Sequence, residues 1–106
     1  MWTGTANQLE MVEGDYGIIL PFTIKGVLLS QHDKMVFSFK RRLNGETILT
    51  KEYSDITNNT INLDLTAQES ELFNPGSYVY TLDWYQQGVF RGNLISCGRL
   101  KVVDKA

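Results

Sequence analysis

The sequence predicts an all-β fold: an antiparallel β-sandwich of about seven or eight short strands with one helical turn between late strands. Three observations carry this prediction. Val, Ile, Thr, Tyr, Phe and Trp recur in short runs with a period of two, the mark of half-buried strands. Turn residues punctuate these runs, and Asn44-Gly45 and Gln87-Gly88 sit between alternating segments as tight hairpin turns. Thr66 and Glu69 have capping-box spacing over a segment too short to be a stable helix alone.

The elements follow in order. The chain of 106 residues reads as one domain, with a core over about 9–103 and loose tails at 1–8 and 104–106. A short first strand covers 9–13 and is closed by Gly14-Asp15. The second covers 16–25, where Ile18, Leu20, Phe22 and Ile24 share one apolar face. Pro21 lies inside it and has no amide to donate, which places that strand on a sheet edge or at a bulge. After a connection over 26–33, strands over 34–43 and 46–53 flank Asn44-Gly45. A two-residue type I′ loop there sets Leu43 against Glu46, Phe39 against Thr50 and Phe37 against Glu52. Phe37 and Phe39 then share one face, and Ser38, Lys40 and Arg42 the other.

Residues 54–59 form a polar turn, and Ile61, Leu63 and Leu65 alternate with Asn62 and Asp64 in the next strand. The capped helical turn begins at Thr66 and ends near Phe73, stopped by Asn74-Pro75-Gly76. Tyr78, Tyr80, Leu82 and Trp84 line one face of the following strand, and the last strand covers 89–103. Ideal pairing across Gln87-Gly88 sets Tyr80 opposite Ile95 and Tyr78 opposite Cys97. Leu100 and Val102 have the other parity, so the last strand needs a one-residue slip, for which Gly98 is the natural bulge. The expected core is Phe22, Phe37, Phe39, Leu63, Tyr80, Leu82 and Ile95.

Charge and composition exclude several functions. Ten Lys+Arg against twelve Asp+Glu give a formal charge of −2, without the basic excess of a nucleic-acid or anionic-membrane binder. No apolar run approaches the roughly 18 residues of a membrane helix, and no signal peptide opens the chain, so synthesis in the cytoplasm is expected. Catalysis has little to build on. His32 stands in a polar connection and reads as a solvated loop residue. Cys97, mid-strand among apolar neighbours, reads as a buried, inert thiol. No His/Cys spacing fits a metal, Asp15, Asp33, Asp55, Asp64 and Asp83 fall in no calcium-caging pattern, and the glycines form no phosphate loop. No catalytic residue, cofactor or metal is therefore expected. Lys40-Arg41-Arg42 reads as a solvated strand end, and Asn58-Asn59-Thr60 as an unmodified glycosylation pattern.

The informative surface is the back of the 78–84 strand. With Tyr78, Tyr80, Leu82 and Trp84 inward, Val79, Thr81, Asp83 and Tyr85 point outward. Ideal pairing adds Phe90 and Leu94 to that face. Val79, Tyr85, Phe90 and Leu94 are thus the expected protein-contact patch, facing another protein or a second copy of the chain. The alternative is a carbohydrate-binding module, with Trp2, Tyr53, Tyr85 and Phe90 as sugar-stacking rings. Coplanar exposed rings would favour sugar, and an unpaired strand edge would favour protein.

The segment 72–78 is similar to a tyrosine corner, in which a Tyr near a strand start bonds back to upstream backbone, so an immunoglobulin-like arrangement is expected. Further residues carry a family resemblance: Gly14-Asp15 before a long alternating strand; Ile61-x-Leu63-x-Leu65-Thr66 with Glu69-Ser70; Leu72, then Pro75-Gly76-Ser77-Tyr78-Val79-Tyr80-x-Leu82; and a closing Gly98-x-Leu100-x-Val102. Together, over about 9–103, they resemble the small immunoglobulin-like domains of phage and prophage baseplate or tail proteins, such as the N-terminal domain of baseplate upper proteins. The resemblance implies a non-enzymatic, virion-associated structural module that docks other phage structural proteins. It supplies no catalytic residues.

Overall fold

The computed structural model describes residues 3–5, 8–16, 20–24, 29, 32–42, 44–54, 56 and 58–104. Among them are eight strands, β1 (Thr3–Thr5), β2 (Gln8–Val12), β3 (Leu20–Thr23), β4 (Lys34–Lys40), β5 (Thr47–Tyr53), β6 (Thr60–Leu63), β7 (Gly76–Gln86) and β8 (Val89–Val103). One helical turn, α1 (Ala67–Ser70), lies between β6 and β7. The main sheet has the order β1-β2-β8-β7-β4-β5, and β3 pairs with β6 in a second sheet. The fold is all-β and sandwich-like, and the run β8-β7-β4-β5 has the strand order of an immunoglobulin-like sheet.

The core lies between the two sheets. Phe22 and Leu63 from the small sheet meet Phe37, Phe39, Tyr80, Leu82 and Ile95 from the large one, and all seven are buried as expected. Phe22 and Phe37 touch across the interface, with ring centroids 5.2 Å apart. Pro21 pairs with Asn62 in the two-stranded sheet, where its missing amide costs no ladder bond. The tyrosine corner is present: the Tyr78 hydroxyl donates to the Asn74 carbonyl at 2.8 Å. So is the capping box, with the Glu69 amide donating to Thr66 Oγ1 at 3.1 Å and the Thr66 amide to Glu69 Oε1 at 2.9 Å.

The structure corrects several expectations. Residues 3–5, read as part of a loose tail, form β1 against β2. A tail bonded into a sheet is no longer loose. β2 pairs parallel with β8, so the main sheet is mixed rather than purely antiparallel. The two strands are far apart in sequence, no tight turn dictates their direction, and periodicity carries no information about it. The strand expected over 16–25 is described only at Leu20–Thr23; Tyr16 lies outside it and is exposed, and residues 17–19 and 25 are outside the described residues.

The β4–β5 hairpin is not closed by a two-residue loop. The Gly45 amide donates to the Arg42 carbonyl at 2.9 Å, Gly45 has no positive φ, and the register shifts between Phe39 and Lys40. Phe37 therefore faces Lys51 and Phe39 faces Leu49, one residue from the expected partners. Leu43 lies outside the described residues. The shift lets the adjacent apolar residues Ile48 and Leu49 both pack against the core, which strict alternation forbids.

The β7–β8 hairpin does close as expected, with Gln87 and Gly88 both left-handed at φ 52° and 79°. Its register then slips three times rather than once. Tyr80 pairs with Gly98 and Tyr78 with Leu100, so Gly98 is a ladder partner and not the bulge. Ser96 and Cys97 together face the single residue between Tyr80 and Leu82. This turns Cys97 outward, and the thiol read as buried is exposed.

Candidate functional site

The four residues expected to form one patch do not come together. Tyr85 on β7 and Phe90 on β8 are ladder partners with ring centroids 5.6 Å apart and an interplanar angle of 71°. Phe90 is 53% exposed and its neighbour Val89 60%. Lys34 Nζ lies 5.4 Å from the Tyr85 ring centroid. Leu94, carried inward by the register slips, packs partly buried against the core. Val79 pairs with Lys40 and Arg99, six residues or about 20 Å along the strand from Tyr85. The apolar surface at this end is therefore the pair of Tyr85 and Phe90 on one face, with the exposed Val89 on the other. Val89 was missed because its parity sets it apart from Phe90 and its exposure depends on the turn.

This apolar tip opens onto a strand edge. β2 pairs with β8 only over residues 99–103. Along 89–98, the side of β8 away from β7 has no strand partner among the described residues. The three slips fall in this stretch, so the edge is twisted and irregular rather than flat.

The sugar-stacking set fares differently. Trp2 lies outside the described residues. Tyr53 belongs to the rim of the core: its ring meets Phe37 edge-on at 5.9 Å, and its hydroxyl donates to Asp64 Oδ1 at 2.9 Å while accepting from the Asp64 amide at 3.1 Å. Burial pushes the Tyr53 hydroxyl well above the ordinary tyrosine range. Tyr85 and Phe90 stand edge to face, not as the coplanar platform a sugar ring would need.

Several buried and half-buried polar side chains are tied into the scaffold. His32 is exposed in a turn. Asp33 is buried and accepts from Trp84 Nε1 at 2.9 Å. Lys51 Nζ reaches Glu69 at 2.7 Å and Asp64 at 3.9 Å, fastening α1 to β5. Burial raises the Glu69 carboxyl, but the Lys51 ammonium and the Thr66 amide outweigh it and hold the group below the usual carboxylate value. Among the described residues no three metal-ligating side chains stand together, and no helix is long and apolar enough to cross a membrane.

A second surface lies toward the other end of β7. An open groove of about 550 Å³ runs across β2, β8 and β7, lined by Gln8, Glu10, Ser77, Val79, Arg99 and Lys101, with Arg41 beside them. The Arg41 guanidinium lies 4.9 Å from the Tyr78 ring centroid, while Arg41 and Arg42 are exposed just past the end of β4, as expected of a solvated strand end. Nothing in residue spacing linked Arg41 to Arg99 and Lys101; strand order brings them to one groove. Comparisons of the chain with protein-family models, curated proteins and solved structures find no match.

Proposed function

We propose that this chain is a non-enzymatic protein-interaction module of a phage or prophage baseplate or tail. The observation that carries the reading is the β8 edge over residues 89–98, which has no strand partner among the described residues and ends at the exposed Val89 and Phe90 beside the half-buried Tyr85. Unpaired edge amides and carbonyls can extend a sheet into another chain, and an apolar tip adds burial to that pairing. The motif resemblance supports a virion setting, in which the chain is made in the bacterial cytoplasm and built into the particle. The partner is another protein of that assembly or a second copy of this chain.

The test is sedimentation of the native protein and of Tyr85→Asp at low and high salt. The native chain should self-associate with concentration, keep doing so at high salt because apolar burial is not screened, and lose the association in Tyr85→Asp. An oligomer indifferent to Tyr85→Asp removes the tip as the self-contact. Selective binding on a glycan array, abolished by Tyr85→Ala, would replace the protein reading with the sugar one.

A further inference from the structure

The groove across β2, β8 and β7 carries an inference beyond the apolar tip. Arg99 and Lys101 line it, against the single carboxylate of Glu10, in a chain of net charge −2, and Arg41 borders it with its guanidinium held on the Tyr78 ring. Among the described residues none of these three cations has a carboxylate within ion-pair distance. Arg99 and Lys101, left without ion-pair partners in an acidic protein, attract an anionic ligand.

The shape of the groove selects among anions. Arg99 pairs with Gln8 and Val79, and Lys101 with Glu10 and Ser77, so the lining consists of two cross-strand rows. Ladder partners share a face, and Arg99 and Lys101 stand two residues apart on one strand, about 7 Å along it. Alternate side chains of an extended peptide repeat at that same distance. The groove is open and spans three strands, unlike the convergent backbone cups that hold a single phosphate. Ser77 and Gln8 add neutral hydrogen-bonding groups, and Val79 supplies an apolar floor for the methylenes of a Glu side chain. We propose that this groove binds an acidic peptide segment of a partner protein in extended conformation, with alternate carboxylates on Arg99 and Lys101. The proposal rests on the chain being a protein-interaction module but not on the hairpin tip.

The experiment uses a fluorescent octapeptide alternating Glu and Thr, read by anisotropy and by amide chemical shifts of the native protein. Binding at low salt should shift residues 8–10, 77–79 and 99–101, weaken as salt rises, and fall about tenfold in Arg99→Gln, the loss expected for one charge-assisted hydrogen bond. Arg99→Lys should retain most of it. Tyr85→Asp should bind the peptide like the native chain, so that failure of the tip and failure of the groove give different results. The proposal is overturned if Arg99→Gln binds unchanged, if a peptide with the same carboxylates clustered at one end binds equally well, or if inorganic polyphosphate competes as strongly as the peptide.

Discussion

Residue 98 faces the ring of Tyr80, and a Cβ there would overlap it. Tyr80 is fully buried and packs against Phe37 and Phe39, so it has no room to move aside. Gly98→Ala should therefore destabilise the protein by about 1–3 kcal/mol, the usual range for overpacking a filled core. Gly92 is the control: it pairs with another aromatic, Trp84, but a Cβ there meets nothing within 4 Å. Gly92→Ala should change stability by no more than about 0.5 kcal/mol. Urea denaturation of both variants checks the contrast, and equal losses would mean that the Tyr80–Gly98 contact is not what requires glycine. Sequence reading singled out Gly98 as a bulge, the other common reason for glycine in a strand. Close approach of a ring was not visible, because it depends on which residue lies across the ladder.

At the scale of elements, the capped turn α1 shows how little chain can be held in place by electrostatics. Four helical residues are far below the length at which a helix is stable alone. Glu69 serves twice, closing the capping box and accepting from Lys51 on β5. Its carboxyl is held below the usual value, so the folded state favours the charged form. Stability from this group is then present above the unfolded pKa and lost as pH falls through the folded value. Urea midpoints measured from neutral to strongly acidic pH should fall further for the native protein than for Glu69→Gln. At neutral pH the difference should be about 1 kcal/mol and should vanish in acid. A difference independent of pH would assign the loss to packing. The capping box, the Gln87-Gly88 turn and the tyrosine corner were all legible in the sequence because each is closed by residues within a few positions of one another. The Asn44-Gly45 hairpin was misread because the need to bury Ile48 and Leu49 together outweighed the local turn preference.

At the scale of the whole molecule, the parallel pairing of β2 with β8 joins the two ends of the chain. Leu9 stands beside Leu100 in that ladder, and both are buried. Leu9→Ala should cost about 2–5 kcal/mol although it lies next to a stretch that reads as a tail. A loss below about 0.5 kcal/mol would mean that β2 frays and contributes little. The same pairing ends at residue 99, and among the described residues no strand continues it along β8, which is where the proposed protein contact lies. The sequence by itself determined the all-β class, the seven expected core residues, the helical turn and the β7–β8 turn, because alternation and local hydrogen bonding act over a few residues. Strand direction, the three slips in β8, the outward turn of Cys97 and the meeting of Arg41, Arg99 and Lys101 were decided only by the tertiary structure. Those features depend on which strands lie side by side, and that choice is settled by burying both sheet faces at once, a condition no short segment carries.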